Sequence, residues 1–419
     1  MRIVHTADWH LGKTLEGRDR LPEQERFVDE LERLCAEEDA QLVLVAGDVF
    51  QTANPSAAAE DLFYDALDRL AGHGRRAVAV IAGNHDQPDR LCAAAPLADR
   101  LGITLLGTPG QTATVLDAAG RVSRPSAGPG WFELSVPGCP HPAIVAAVPY
   151  PSEGRLREVI ADEPDDRALG RAYAQRVGEL FSQLAGHFRP GAVNLVVSHL
   201  YASGGFESDS EVPIQLGGAC VVAPESFPAN AHYVALGHLH RPQVVRGATV
   251  PARYAGSPLA YSFSEVGYAK SVCLVEALPG EPARVREIHL SAGKPLVRWV
   301  AREGLAQVEA WLDEGRDPEA WIDLEIHLSA PLTPEQTQRL RERRPGLVQI
   351  RPVFVGGDGP ARALAEDRRR LGPERLFREF YAHLNPGRTA DDRLVKLFLE
   401  LLQAEDGRDG TPSAGEVRP

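Results

Sequence analysis

The chain has 419 residues, more than one hydrophobic core usually serves, so at least two folded units are expected. With 43% hydrophobic and 25% charged residues, no apolar run of the ~18 residues a membrane span needs, and no room for a secretory h-region after Met1-Arg2-Ile3-Val4-His5-Thr6, the chain is read as a cytoplasmic protein. Its net charge of −13 argues against wholesale wrapping of nucleic acid, so any phosphate contact must be local, at bound cations or at a few basic side chains such as Lys13, Arg18 and Arg20.

Short apolar, β-branched runs alternate with amphipathic stretches over the first two-thirds, as in an α/β fold. Strands are predicted at 2–6, 41–46, 77–82, 143–148, 192–198, 233–236 and 271–275. A helix over 22–38 has a Pro near its start and Phe27, Val28, Leu31 and Leu34 at helical spacing. A second, over 56–71, opens on Ser56 as its cap and ends in Gly72-His73-Gly74. The Gly- and Pro-rich stretch 107–142 reads as an insertion of short strands and turns.

Leu278-Pro279-Gly280-Glu281-Pro282 reads as a link, and a β-α-β-α-β pattern follows it. The predicted division is a first domain over 1–276, a small capping domain over 286–357, a helical region over 361–405 and a disordered tail over 406–419. In the helical region Leu376, Phe377, Phe380, Tyr381 and Leu384 mark one apolar face, and Leu394, Leu397, Phe398, Leu401 and Leu402 another, both needing cover. Five scattered cysteines (Cys35, Cys92, Cys139, Cys220, Cys273) form no Cys-x-x-Cys pair, so neither a disulfide framework nor a thiolate metal site is expected. No G-x-x-x-x-G-K-[ST] loop is present.

Five motifs each follow a predicted strand: Asp8-Trp9-His10, Gly47-Asp48, Gly83-Asn84-His85-Asp86, Ser198-His199 and Gly237-His238-Leu239-His240. In an open α/β sheet ligands gather at the carboxyl ends of strands, so these residues should converge. Singly, each is more often a cap or hydrogen-bonding residue than a metal ligand. Together, two carboxylates, an Asn carbonyl and four imidazoles make an N/O set suited to Mn²⁺, Fe or Zn²⁺ rather than Ca²⁺. Seven ligands exceed what one ion with open positions takes, and fit two ions about 3.5–4 Å apart that share a carboxylate. The small Gly237 is expected to permit the turn that sends His238 and His240 to different ions.

In this order the motifs resemble the calcineurin-like metallophosphoesterases. The resemblance implies a four-layer α/β sandwich of two mixed sheets flanked by helices, with a small α+β capping domain and a C-terminal helix pair. It also implies that Asp8, His10, Asp48 and His240 hold one ion, and Asp48, Asn84, His199 and His238 the other, with Mn²⁺ the expected metal. His85 is then left free of metal to contact the phosphate and protonate or steer the leaving oxygen, Asp86 orients its ring, and a water acidified by the ions is the nucleophile.

Within that superfamily His5–Lys13, Gly47–Phe50 and Ala235–Arg241 resemble the SbcD-type nuclease subunits of bacterial DNA repair complexes, as do 207–211, 254–259 and Ser262-Phe263. This implies a DNA nuclease, ATP-gated, with 3′–5′ exonuclease and endonuclease action on double-strand ends and hairpins. It implies as partners DNA, an SMC-like ATPase (the SbcC type) docked on the C-terminal helices through Phe377, Phe380, Tyr381, Leu397, Phe398 and Leu401, and a second copy of the chain, giving a heterotetramer near the nucleoid. The competing reading is a phosphoesterase of the same fold acting on a small phosphodiester or a phosphoprotein, since fold and ligands alone do not separate substrates. A scaffold with a degenerate site is a third, disfavoured because no ligand is missing. Trp299, Trp311 and Trp321 are expected in the core, although stacking on unpaired bases is conceivable for such rings.

Overall fold

The computed structural model describes residues 1–156, 166–206, 208, 211 and 221–354, and in the C-terminal region 377, 378, 381, 391, 393–395 and 398. In chain order the first part is β1 (Arg2–Thr6), α1 (Leu21–Glu37), β2 (Leu42–Ala46), α2 (Ala57–Ala71), β3 (Ala77–Ile81), α3 (Pro88–Leu91), α4 (Ala95–Ala98) and β4 (Ile103–Leu106). There follow β5 (Ser123–Gly128), β6 (Trp131–Ser135), β7 (Ala143–Val148), α5 (Glu153–Leu156), α6 (Asp166–Ala185), β8 (Val193–His199), β9 (Tyr201–Ala202), β10 (Val221–Val222), β11 (Tyr233–Gly237), β12 (Gln243–Val244) and β13 (Ala252–Tyr254). The last are β14 (Ser271–Glu276), β15 (Arg284–His289), β16 (Leu296–Ala301), α7 (Leu305–Asp313), β17 (Trp321–Leu328), α8 (Pro334–Arg343) and β18 (Leu347–Phe354).

One mixed sheet has the order β15-β14-β1-β2-β3-β4, the other β12-β13-β11-β8-β7-β6-β5. Successive side chains of a strand point to opposite faces, so a strand buried on both reads as a continuous apolar run. In β2, Val43 and Val45 join the core formed with Phe27 and Leu31 of α1 and Phe63 of α2, while Leu42 and Leu44 join the layer that holds Val145, Leu195 and Val197 of the other sheet. On its far side the second sheet packs Val196, Val234 and Leu236 against Tyr173, Val177 and Phe181 of α6. Helices, sheet, sheet and helix stack in that order, which is the four-layer sandwich expected.

Both expected helices form within a residue of their predicted bounds, and Ser56 Oγ caps α2 by accepting from Ala59 N. The 107–142 stretch is part of the second sheet: β5 and β6 pair with each other, and β6 pairs antiparallel with β7. The link at 278–282 is also different from expectation. It is the turn of a hairpin, because β15 pairs antiparallel with β14 over Ser271–Glu276, so residues 286–289, predicted to open the capping domain, close the edge of the first sheet. As the β-α-β-α-β pattern predicts, β16, β17 and β18 form a separate parallel sheet, with Val308 of α7 and Leu340 of α8 on its core.

The capping sheet is tied to the first unit at Glu23. That buried carboxylate accepts from Arg20 Nε (2.6 Å), Trp321 Nε1 (2.9 Å) and Lys294 N (2.7 Å). Arg20 is therefore a buried structural cation rather than a phosphate contact. Trp299 is buried and donates to Asp317 Oδ2, so Trp299 and Trp321 serve packing, as expected. In the C-terminal region Phe377 stacks on Phe398 at 4.3 Å, while Leu376, Phe380, Leu384, Leu397, Leu401 and the 406–419 tail lie outside the described residues. Among the described residues no helix is long and apolar enough to cross a membrane.

Candidate metal centre

All five motifs lie at the carboxyl ends of neighbouring parallel strands: Asp8 and His10 beyond β1, Asp48 beyond β2, Asn84 to Asp86 beyond β3, His199 ending β8, and His238 and His240 beyond β11. The first sheet thus supplies four of the expected ligands and the second sheet three. Their backbones are unusual. Asp8 (φ 55°), His10 (φ 45°), Asp48 (φ 49°) and His238 (φ 108°) all adopt the left-handed region that non-glycine residues avoid, and such strain collects at functional sites.

Glycine is needed here for close approach. A Cβ on Gly237 would lie 1.9 Å from Ala46 O, and one on Gly83 2.0 Å from Asp48 Oδ1. The turn expected from Gly237 is made instead by His238, whose positive φ redirects the chain.

The donors form a compact set. Asp8, His10 and His240 offer atoms within 4.8 Å of one another, as do Asp8, Asp48 and His199, and also His10, Asp48 and His85. Asp48 Oδ2 lies 3.6 Å from both His10 Nε2 and His199 Nε2, between the two groups. Asn84 Oδ1 is 2.8 Å from His199 Nε2. The His238 ring packs beside His199, with centroids 5.5 Å apart, but joins none of the compact triads.

Protonation suits cation binding. His199 Nδ1 donates to Ala46 O (2.9 Å), which leaves its Nε2 lone pair facing Asp48. Burial holds His199 at a pKa of about 3 and His240 at about 4, and pushes His10 and His238 well below the ordinary histidine range. Burial also raises Asp8, helped by the Asp48 charge, and raises Asp48. Asp8 Oδ2 is buried with no protein donor. The Nε2 atoms of His10 and His240 stand 3.0 Å apart. Two imidazole nitrogens each about 2.1 Å from one ion, at right angles, would be separated by about that distance. Buried acceptors crowded without donors fit divalent cations.

His85 sits at the edge, its Nδ1 2.8 Å from Gln51 O and its Nε2 3.9 Å from Asp48 Oδ2. The expectation that Asp86 orients this ring is corrected by the structure. Asp86 turns inward and accepts from Gly83 N (2.8 Å), Phe50 N (2.9 Å) and Val49 N (3.1 Å), fastening the Asp48 loop to the Asn84 loop. The ring of His85 is oriented by Gln51 O instead.

Sequence reasoning also missed supporting groups. Glu265 Oε1 lies 3.8 Å from His240 Nδ1, and Lys270, ion-paired with Glu265, donates to His240 O (2.9 Å). Burial favours the neutral Glu265, but His240 and the Lys270 ammonium outweigh it and hold the carboxyl low. Glu211 Oε1 accepts from His240 N (2.6 Å). Gln24 Nε2 donates to His10 O (2.9 Å), and Arg155 clamps Gly83 O and Asp86 O, each at 2.6 Å. Glu211 lies in the 207–211 segment already noted for its resemblance, though without an expected role at the metal centre, and the others carry no local motif that marks them.

A family model described as calcineurin-like phosphoesterase matches residues 1–242, and one described as type 5 capsule protein repressor C-terminal domain matches 293–385. The SbcD component of the SbcCD nuclease from Bacillus subtilis is 47% identical over 98% of this chain and 100% of its own length. The chain belongs to the SbcD family. Members in Rhodobacter capsulatus (34% identical, 90% of this chain and 93% of theirs) and Escherichia coli (29%, 97% and 99%) also match nearly end to end. Membership accounts for the sandwich and for the ordered motifs at its strand ends.

Proposed function

We propose that this chain is a metal-dependent DNA nuclease that uses two divalent ions, Mn²⁺ foremost, and acts with an SMC-like ATPase in DNA repair. The observation that carries the reading is the place of Asp48 Oδ2, 3.6 Å from an imidazole nitrogen of each ligand group, with His85 Nε2 3.9 Å away on the open side. Asp8, His10, Asp48 and His240 would hold one ion, and Asp48, Asn84, His199 and His238 the second. Bound there, divalent ions supply the positive charge that stabilises a phosphoryl transition state and acidify the attacking water.

The chain's own residues do the rest. Gln51 O keeps the His85 Nδ1 proton engaged, so Nε2 faces the phosphate, and the doubly protonated ring gives its Nε2 proton to the leaving oxygen and returns to the neutral Nδ1–H form. Asp86 keeps the two loops in register, and Arg155 braces the Asn84 loop through Gly83 O and Asp86 O. The relatives are named as components of the SbcCD nuclease. The ATPase is assigned to the 361–405 region, and ATP gating, 3′–5′ exonuclease and endonuclease action, and a nucleoid location belong to the same reading. Dimerisation is assigned to the helical face of the first sheet, where Leu97 is 67% and Tyr64 38% exposed around a cleft of about 490 Å³.

The test is degradation of an end-labelled blunt duplex by the purified chain, with Mn²⁺ or with chelator, beside His85→Leu. Metal-dependent loss of label that disappears in the variant, with its metal content retained, is the expected result. Intact DNA under all conditions, together with turnover of bis-p-nitrophenyl phosphate, would assign the site to small phosphodiesters instead.

A further inference from the structure

Arg241 follows His240 directly and is exposed. Its guanidinium carbon lies 5.4 Å from the Phe206 ring centroid and 4.9 Å from that of Tyr268, an arrangement in which two rings cover the cation and restrict its motion. Gln243 sews the two loops together: its Oε1 accepts from Phe206 N (2.9 Å), and its Nε2 donates to Phe206 O (3.0 Å) and Arg241 O (3.1 Å). The same loop reaches the metal centre through Tyr201, which donates to Gly205 O (3.1 Å) while its ring stands 6.4 Å from that of His238.

Two features of this cluster are not explained by packing. Among the described residues no carboxylate pairs with Arg241, in a chain of net charge −13 whose Arg189, Arg253 and Arg351 each sit against one. Phe206 is 57% exposed, although it carries a large apolar ring. A guanidinium held by its faces keeps its N–H edge available, and that edge is matched to phosphate oxygens. Arg241 is the residue after His240, and a polymer strand, which carries a phosphate at every nucleotide, offers its N–H edge a phosphate besides the scissile one, which a small phosphodiester does not.

We propose that Arg241, held between Phe206 and Tyr268, binds a backbone phosphate of the DNA strand next to the scissile one, and that the open face of Phe206 receives a base or sugar of that strand. This rests on the nuclease reading and adds a strand-binding arm to it. The cluster lies on the second-sheet side of the centre, so it sets the path of the strand across the ligands of β11.

The experiment measures binding of a fluorescent duplex by the full chain across a series of salt concentrations, in chelator, with Mn²⁺-dependent cleavage assayed in parallel. Arg241→Ala should weaken binding roughly tenfold and flatten the slope of log affinity against log salt by about 0.9, the loss of one phosphate contact. Arg241→Lys should retain the slope. Phe206→Ala should weaken binding roughly fivefold with the slope unchanged, because stacking is not ionic. Wild-type affinity and slope in Arg241→Ala, with wild-type cleavage intact, would overturn this inference alone. A lowered melting temperature with unchanged affinity would also overturn it, reducing the cluster to a loop fastener. Wild-type protein that leaves DNA uncut with Mn²⁺ would bring down the nuclease reading and this inference with it.

Discussion

Replacing Gly237 with Ala tests whether the contact between the two sheets sets the metal centre. The new Cβ would stand 1.9 Å from Ala46 O, where a carbon–oxygen contact needs about 3.3 Å, so the end of β11 must retreat from β2 by about 1.4 Å. Ala46 O is also the acceptor that fixes His199 Nδ1, now at 2.9 Å. Overpacking of this kind destabilises by about 1–3 kcal/mol, and the lost hydrogen bond adds about 1 kcal/mol, so about 2–4 kcal/mol is expected in all. Metal sites tolerate ligand displacements of only about 0.2 Å, so affinity for the ions should fall at least about tenfold. Urea unfolding in chelator gives the first quantity, and elemental analysis after dialysis the second. A variant with the wild-type urea midpoint and full metal content would refute the argument that this glycine exists for close approach.

Asp48→Ala should lose both ions by elemental analysis, and retention of both would contradict its shared position. Asp86→Ala strands three buried backbone N–H groups, so a loss of roughly 3 kcal/mol or more in urea unfolding is expected; unchanged stability would show that the loop clamp is dispensable. His5, buried and hydrogen-bonded to Tyr233 Oη, is held at a pKa of about 3 by burial. Its depressed value means that the unfolded ring takes up a proton first: the stability it lends is present above pH ~6.5 and is lost as pH falls toward 3, at about 1.4 kcal/mol per pH unit. His5→Gln, compared with wild type in chelator, should therefore show a shallower loss of unfolding free energy between pH ~6 and ~4, and equal slopes would exclude this role. Leu97→Asp should shift a dimer toward monomer in sedimentation, and a wild-type sedimentation profile would move the interface elsewhere.

The strands that carry the centre were legible because burial on both faces makes them continuous apolar runs, and the motifs were legible because they directly follow those runs. β15 was not, since its sequence Arg-Val-Arg-Glu-Ile-His lies on an edge, half-exposed, with the composition of a link. The role of Asp86 was misjudged for a local reason: residues 84–86 form a bend in which the Asp86 carboxylate turns back to Gly83 N while the His85 ring turns to Gln51 O, so adjacency in sequence does not bring the two side chains together. Glu265 and Lys270 lie 25 and 30 residues beyond His240, in a segment without a metal motif, and only the fold brings them together. The left-handed backbones of Asp8, His10 and Asp48 had no sequence signal, because nothing but the surrounding packing imposes them.

Because each sheet contributes only part of the donor set, neither half of the sandwich can assemble the chemistry alone. Taken by itself, the first sheet presents Asp8, His10, Asp48 and Asn84 without His199, His238 and His240. The donor set is therefore complete only when the two sheets are seated against each other. For an agent that cuts phosphodiester chains, a copy whose two sheets stand apart lacks the full cutting centre.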